Sequence, residues 1–417
     1  MRILILNQAF HPDVVATGQY AADLAVALAS QNHEVTVLCS ARGYDDPHVR
    51  FPAKECWKGV AILRVAGTGY GKAAKWRRAA DFASFLARCA WHLPILGRFD
   101  AIIALTTPPL ISVLGVACKL LRGGRLVYWT MDLNPDEAIA AGWLNQSSTI
   151  ARFLAALQNF TLRRSDAVIT LDTFMRDRVI TAGTSGAKVF VVAPWQQDDW
   201  VRYNEDGRAR FRQEHDLNGR FVVMYSGNHS PCHPLDSLLE AAKSLRYRDD
   251  IVFAFVGGGS EWHRLKRASA NDGLSNIRFL PYQPRERLSE SLSAADLQAV
   301  VLGEKFVGIV HPSKIYNILA VGCPVLYIGP PRSHVTELLG KGGYAPGFYA
   351  VAQGTGESVA EEILRTAETR SVRRGQPSEL SCSRQELLQR MTEIITGQGE
   401  GIVSGRPIPA TLALDGR

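Results

Sequence analysis

The sequence lacks any CxxC pair, and its seven cysteines are scattered along 417 residues. An odd number of isolated cysteines argues against a disulfide framework or a structural zinc site, and it is typical of a reducing cytosol. No uninterrupted apolar run reaches the roughly 20 residues that cross a bilayer, and the run at 2–6 is too short for a signal peptide. We therefore expect a cytoplasmic protein, with peripheral attachment to the inner face of the cytoplasmic membrane left open.

A G-x-G-x-x-G motif is also missing, which removes the usual fingerprint of a nicotinamide dinucleotide site. The net charge of +7 and the pI of about 9.0 favour anionic partners such as nucleotides, phospholipid surfaces or nucleic acid. Nucleic acid is the weakest of these candidates, because the positive charge is diffuse and no known binding module is visible.

What the sequence does contain is a repeated alternation of short apolar strands and amphipathic helices. The alternation runs from residue 2 to about 195, and it restarts at residue 221 after a polar stretch, 196–220. This pattern predicts two Rossmann-like α/β domains, each a doubly wound parallel sheet, that face each other across a cleft. We place the first domain at 1–198, the second at 199–380, and a terminal helix with a disordered tail at 381–417.

Residues 308–324, GIVHPSKIYNILAVGCP, predict a tight turn after a buried strand and then a helix from Lys314 to Val321. Free backbone N–H groups at such a helix start attract phosphate. Ser313 is the predicted N-cap, and Lys314 adds a mobile positive charge after the turn that begins at His311. Alone, this pattern is more typical of an ordinary helix start, and only its position in the chain favours a binding site.

Other glycine turns follow predicted strands. Gly18 lies where the first loop meets the first helix and can let a ligand phosphate approach the backbone, although a plain turn glycine explains it as well. Residues 227–229 end the first strand of the second domain, and residues 257–259 end its second strand. Because the carboxyl ends of parallel strands share one edge, several such turns together indicate an anion site better than any one of them.

Acidic residues follow a buried strand of the first domain. Asp132, Asp136 and Glu137 come directly after the segment RLVYWTM, at the edge where doubly wound sheets bind ligands. They are candidates for acid–base work or for binding substrate hydroxyls. For Asp136, helix capping is an equally good interpretation.

The segment 72–98 is basic and aromatic. It carries six lysines and arginines against one acid, Asp81, with tryptophan and phenylalanine at helical spacing. This composition suits an interfacial helix that lies on anionic lipid. A helix with one face in the core and a solvated basic face fits the pattern equally well.

Six segments carry a resemblance to a known family: residues 10–38, 106–110, 131–144, 225–242, 255–266 and 312–326. In them the chain resembles the retaining glycosyltransferases of the GT-B fold, family 4. It is most similar to the bacterial branch that builds O-antigen, colanic-acid-like and other surface polysaccharides. The likeness spans about residues 1–345 and is more specific for the superfamily than for a substrate.

The resemblance implies that the second domain binds a nucleotide-sugar donor, expected to be a UDP-sugar. The first domain would bind a lipid-linked or saccharide acceptor, and transfer would proceed with retention and without a metal or another cofactor. By position, Gly18, Asn228 and His229 would border the donor diphosphate. The backbone at Pro281 and Tyr282 would meet the base. The predicted catalytic residue is Asp132, and the predicted donor-binding residues are Gly18, Gly227, Asn228, His229, Tyr282, His311, Ser313, Lys314 and Asn317.

The chain departs from the family pattern at two places. The two glutamates that members usually carry eight residues apart fall on Ile309 and Asn317, and the basic pair after the first strand of the second domain becomes His229 and His233. Asn317 can still bond ribose hydroxyls, whereas only Glu304, on a nearby loop, offers a carboxylate in place of Ile309. Two alternatives therefore stay open: a non-catalytic partner in a polysaccharide assembly complex, and a nucleotide-sugar epimerase.

Overall fold

The computed structural model describes residues 1–13, 15–44, 46–71, 74–196, 200–341, 347–352, 354–369 and 383–398. The chain groups into two compact units. Unit 1 comprises Met1–Pro135, Gln146–Ala193 and the chain from Gln385 onward, and unit 2 comprises Asp136–Asn145 and Pro194–Arg384. The predicted domain boundaries at 198/199 and 380/381 stay predictions, because compactness does not test whether each part folds independently.

Unit 1 contains an eight-stranded sheet. Its strands are β1 (Arg2–Leu6), β2 (Glu34–Ser40), β3 (Lys54–Trp57), β4 (Val60–Val65), β5 (Ala101–Ala104), β6 (Arg125–Trp129), β7 (Ala167–Thr170) and β8 (Val189–Val191), in the order β3-β4-β2-β1-β5-β6-β7-β8. The helices of unit 1 are α1 (Ala16–Ser30), α2 (Lys75–His92), α3 (Ile111–Arg122), α5 (Thr149–Arg164), α6 (Thr173–Thr181) and α14 (Arg384–Thr396), which starts at the unit boundary. All strand pairs are parallel except that of β3 with β4.

Unit 2 contains a six-stranded, fully parallel sheet. Its strands are β9 (Phe221–Asn228), β10 (Ile251–Gly258), β11 (Ile277–Leu280), β12 (Leu297–Val301), β13 (Val325–Ile328) and β14 (Tyr349–Ala352), in the order β11-β10-β9-β12-β13-β14. The helices of unit 2 are α4 (Asp136–Ala140), α7 (Glu205–Glu214), α8 (Asp236–Ser244), α9 (Trp262–Asn271), α10 (Leu288–Ser293), α11 (Lys314–Ala320), α12 (His334–Lys341) and α13 (Gly356–Thr369). The predicted fold class, two parallel-sheet α/β domains, is confirmed.

The central strands are apolar along their whole length because helices cover both faces of a parallel sheet. Ile3 of β1, for example, pairs with Val35 on one side and Ala101 on the other, and all three are buried. The sequence pattern does not predict β3 and β14, which are four-residue strands at sheet edges. Among the described residues, no helix is both long enough and apolar enough to span a membrane.

The polar stretch that opens unit 2 is anchored by a cluster of charges. Its helix α7 directs Arg208 and Arg212 onto the carboxylate of Asp296, and the Arg208 Nη2 to Asp296 Oδ1 distance is 2.6 Å. The same carboxylate accepts the backbone N–H of Val222 at the start of β9. From Glu205 onward this polar stretch is thus part of the packed structure of unit 2.

Candidate functional site

The glycine ends of β9 and β10 lie side by side at the carboxyl edge of the unit 2 sheet. Gly227 is in register with Gly257, and Asn228 with Gly258. The φ angles of Gly227 and Gly257 are +142° and +128°, a region that other residues rarely adopt. A Cβ on Gly257 would lie 2.1 Å from the Gly227 carbonyl oxygen. The two strands can therefore approach each other this closely only because residue 257 has no side chain.

Lys314, the first residue of α11, lies directly over this edge. A Cβ on Gly227 would be 2.7 Å from the Lys314 Nζ, and the Nζ itself is 3.6 Å from the centre of the Tyr225 ring. The amine is buried and has no hydrogen-bond partner among the described residues. The site therefore holds one enclosed nitrogen above an aromatic face and a bare backbone.

Burial determines the protonation of this amine. A desolvated cation over an aromatic ring gains about 2 kcal/mol or somewhat more, whereas removing an ammonium from water costs several kcal/mol. Burial therefore holds the pKa of Lys314 well below its usual range. The prediction of a mobile positive charge is wrong at this position: the side chain is enclosed, and its charged form lacks a counterion in the described structure.

His229 follows Gly227 and Asn228, and its ring is fully buried. Its backbone N–H donates to the Gly258 carbonyl at 2.7 Å, and its Nδ1 lies 3.0 Å from the Gly227 carbonyl oxygen. Because a carbonyl only accepts, Nδ1 carries the proton of the neutral ring and Nε2 keeps a lone pair. That Nε2 is buried and has no hydrogen-bond partner in the described structure. Burial first, and then the neighbouring Lys314, lower the pKa of His229 to about 4.

His233, four residues later on the same loop, is half-buried and is also held by a backbone carbonyl. Its Nδ1 lies 2.7 Å from the Val301 carbonyl oxygen, at the end of β12. Burial and then Lys314 lower its pKa to about 3. Both histidines are therefore neutral near pH 7. They differ in this from the arginine or lysine that family members carry after this strand.

Tyr282 closes one side of the edge. Its hydroxyl donates to the Gly258 carbonyl at 3.1 Å. Its ring lies so close to Gly258 that a Cβ on this glycine would be 3.2 Å from the ring. The side chain is nevertheless 59% exposed, so part of the ring stays available for stacking. Asn228, the last residue of β9, is also exposed, and its carbonyl accepts the Tyr225 hydroxyl.

The turn before α11 differs from the prediction in two respects. Ser313 is in the αR conformation and makes no side-chain cap hydrogen bond, so it is not an N-cap in the usual sense. The backbone N–H groups of Ile315 and Tyr316 donate to the carbonyls of Pro312 and Ser313. Two amides that were expected to face a phosphate are therefore already occupied, because the helix begins with tight i→i+3 bonds.

His311 belongs to a separate aromatic group within unit 2. Its ring stacks on His334 with centroids 4.0 Å apart, and its Nε2 lies 3.0 Å from the Tyr316 hydroxyl. His311 is therefore engaged by neighbouring rings, and the described contacts do not connect it with Lys314.

The two positions of the missing glutamates differ in environment. Ile309 is only 3% exposed and packs as a core residue. Asn317 lies one turn after Lys314 on α11, and its Oδ1 is buried without a hydrogen-bond partner in the described residues. Glu304 is exposed on a short 3₁₀ turn, and its suggested replacement of the first glutamate stays a prediction.

Two predicted site residues lie in unit 1. A Cβ on Gly18 would lie 3.1–3.2 Å from the backbone of Ala9 and Phe10, so this glycine allows α1 to pack closely on the preceding loop. Asp132 is half-buried just beyond the end of β6. Their predicted roles at the diphosphate and in catalysis stay predictions.

Sequence reasoning missed two members of the unit 2 site. Tyr225 lies beneath the Lys314 amine, and Trp262 packs edge-on against His229 with centroids 4.8 Å apart. In the sequence, an aromatic residue inside a buried strand is indistinguishable from a core residue. The position of Tyr225, two residues before Gly227 at the end of the strand, was the one feature that could have indicated a place in the site.

The family models divide the chain at the same place as the alternation of strands and helices. Residues 16–195 match the glycosyl transferase 4-like domain, and residues 207–373 match the glycosyl transferases group 1 domain. The chain belongs to the GT-B glycosyltransferases of family 4. The family resemblance found in the sequence is thereby confirmed.

Relatives and solved structures agree with this assignment. The glycosyltransferase is 26% identical to WcaI of Escherichia coli K12, named as a colanic acid biosynthesis glycosyl transferase, over 77% of this chain and 82% of WcaI. Its fold is similar to that of Anabaena HepE in complex with UDP-glucose (TM-score 0.68, 17% identity, 95% of this chain and 100% of HepE). It is also similar to WaaG, a glycosyltransferase of lipopolysaccharide biosynthesis (TM-score 0.69, 18% identity, 95% and 100%).

Proposed function

We propose that this glycosyltransferase moves a sugar from a UDP-sugar to a lipid-linked or saccharide acceptor in surface polysaccharide biosynthesis. Transfer would retain the anomeric configuration and need no metal ion. The observation that carries the proposal is the enclosed Lys314 amine. It has no hydrogen-bond partner among the described residues, and it lies beside His229 over the glycine edge, which is the backbone of Gly227 and Gly257 at the ends of β9 and β10. WcaI, named for colanic acid biosynthesis, and HepE, solved with UDP-glucose, support the same substrate class.

The donor diphosphate would lie against this edge. Glycine backbones let phosphate oxygens approach closely, and the Lys314 ammonium offers three N–H donors with a full charge. As the sugar leaves as an oxocarbenium-like cation, negative charge grows on the departing nucleoside diphosphate, and a cation fixed beside it stabilises the transition state. Tyr282 would stack on the base, and the Oδ1 of Asn317 would accept from a ribose hydroxyl, while Asp132 serves the acceptor side.

A groove in unit 1 is a candidate for the acceptor. It is lined by Arg42, Tyr44 and Arg78 near the ends of β2 and β4, and Asp81 also lies in its wall. Arg42 is fixed by bonds to the carbonyls of Gly67 and Pro47, and Arg78 donates to the Tyr44 hydroxyl. Held guanidinium groups match phosphate geometry, which suits an acceptor linked to a lipid through a diphosphate.

Helix α2 would hold unit 1 on the membrane. Its inner face is core, since Phe85 and Cys89 are buried. On its outer side Trp76 and Trp91 are 63% and 77% exposed, and they lie among exposed arginines. The only acid of the segment, Asp81, is occupied by the Thr68 hydroxyl and by loop amides. Exposed tryptophan beside basic side chains is typical of a helix at an anionic lipid interface. Lys72, also part of the predicted segment, lies outside the described residues.

We expect the protein to float with vesicles that contain anionic lipid and to stay behind with purely zwitterionic ones. Replacing Trp76 and Trp91 together by alanine should weaken vesicle binding by about tenfold, because each ring buries apolar area in the interface. Replacement of the exposed Trp200 of unit 2 is the matched control and should change nothing. Equal binding by the double variant would exclude α2 as the attachment surface.

The direct test is transfer itself. Incubation of the protein with labelled UDP-sugars and a polyprenyl-diphosphate-linked sugar should give an elongated, labelled lipid. NMR of the new linkage should show the anomeric configuration of the donor, and activity should persist in EDTA. Transfer with inversion would refute retention, and a failure of every donor with intact nucleotide binding would favour a non-catalytic protein.

The non-catalytic alternative has one specific observation in its favour. Ile309 occupies one of the two glutamate positions and is buried at 3% exposure, so that position holds no carboxylate. A non-catalytic partner in an assembly complex would need the glycine edge to bind a donor, but it would need no carboxylate for transfer. Binding of UDP-sugars without transfer to any acceptor would be the result that selects it.

A further inference from the structure

The carboxyl edge of β9 and β10 in unit 2 collects buried nitrogen atoms that have no hydrogen-bond partner among the described residues. The Lys314 Nζ and the His229 Nε2 are both buried and both lack a hydrogen-bond partner in the described structure. Lys314 makes no ion pair with a described acid, and its Nζ lies over the Tyr225 ring and close to Gly227. Two buried polar atoms without a protein partner in one place indicate a site that is built to bind a polar ligand.

The groups around the amine cannot neutralise an ammonium in the empty site. Those that face it or its immediate neighbours are Tyr225 on β9, His229, Cys232 and His233 on the next loop, Tyr282 after β11, and Glu137 of α4. Burial raises the pKa of Tyr225 well above its usual range, so Tyr225 stays a neutral phenol. Glu137 is the acid of this set, and its carboxylate lies 3.8 Å from the Cys232 sulfur rather than on the amine.

We infer that this site takes up one proton when it binds a donor diphosphate, and that Lys314 is the group that receives it. The inference rests on the proposed function, since it concerns the same donor site. Without a bound donor, the neutral –NH₂ form of the amine has the lower free energy, because no anion balances the charge of the ammonium form. A diphosphate placed over the glycine edge supplies that anion, so the amine binds a proton from solvent and becomes an ammonium.

Lys314 receives the proton rather than His229 for two reasons. An alkyl amine is intrinsically far more basic than an imidazole. In addition, burial and the neighbouring Lys314 hold the pKa of His229 near 4, and a charged Lys314 opposes a second positive charge beside it. His229 therefore stays neutral, and its Nε2 can only accept a hydrogen bond.

The sign of the pH dependence follows directly. Because the complex holds one more proton than the empty protein, affinity falls as pH rises from the low pKa of Lys314 in the empty site toward its raised value in the complex. Within that window the dissociation constant rises about tenfold per pH unit. Below the window Lys314 is protonated in both states, and the dependence disappears.

The test is calorimetric titration of the full chain with UDP-glucose at about pH 8, in buffers with different ionisation enthalpies such as HEPES and Tris. UDP-glucose suits the purpose because its diphosphate carries no group that titrates near neutral pH. The buffer dependence of the heat should give an uptake of about one proton per site. Binding with no proton exchange would overturn the inference and leave the proposed function intact.

Two variants assign the proton. Lys314→Arg carries a permanent charge, and Lys314→Met carries none, so both should bind with no proton uptake and with an affinity that no longer depends on pH. Uptake of one proton by either variant would overturn the assignment to Lys314. If neither UDP-glucose nor any other UDP-sugar binds the wild-type protein at any pH, the proposed function is refuted, and the inference that rests on it is refuted as well.

Discussion

Replacement of Lys314 by methionine is expected to weaken UDP-sugar binding by about 10–100-fold, the loss of one charge-assisted contact of 1.5–3 kcal/mol. The same change should stabilise the empty protein by about 1–3 kcal/mol, because it removes a buried amine that has no hydrogen-bond partner in the described structure. Methionine fills the space of the lysine stem without a polar end. Opposite signs for binding and stability are the mark of a group kept for its ligand.

Calorimetry with UDP-glucose and thermal melting without ligand measure the two effects on one preparation. Lys266→Met on α9 is the matched control, since Lys266 is exposed and should change neither quantity. A Lys314 variant that binds UDP-glucose as tightly as the wild type would remove Lys314 from the donor site. Lower stability of that variant would mean that the amine contributes to packing in the empty protein.

The second large effect concerns stability. Replacing Asp296 by alanine should reduce the free energy of unfolding by about 2–4 kcal/mol, because Arg208 and Arg212 then lose their shared carboxylate. The estimate lies slightly below that for a fully buried pair because the Asp296 side chain is 23% exposed. The backbone N–H of Val222 loses its acceptor as well, which weakens the start of β9.

The matched control for this prediction is Asp236→Ala. Asp236 pairs with Arg264 at 2.7 Å, but it is 54% exposed, and such surface pairs contribute less than about 1 kcal/mol. Urea unfolding followed by circular dichroism measures both variants. Equal losses of stability for Asp296→Ala and Asp236→Ala would contradict the argument that burial makes the ion pairs of Asp296 more stabilising than a surface pair.

Sequence patterning predicted most of the fold, because the central strands are continuous apolar runs between helical segments. It did not predict β3 and β14, since a four-residue edge strand carries too few side chains for a clear period. It placed α11 to within one residue, and it placed the glycine turns at the ends of β9 and β10. Local hydrophobic periodicity and turn residues are properties of neighbouring positions, so one sequence contains them.

The sequence by itself determined that glycine turns, two histidines and one lysine occur after the strands of the second half. Only the tertiary structure decided what these residues are. It brings Lys314 over Tyr225 and Gly227, buries the amine, and commits the Nδ1 of His229 to a carbonyl. The side chain of Lys314 and the ring that it covers are 89 positions apart in the sequence. Burial and the missing counterion, which set the charge of the amine, exist only after the chain has folded.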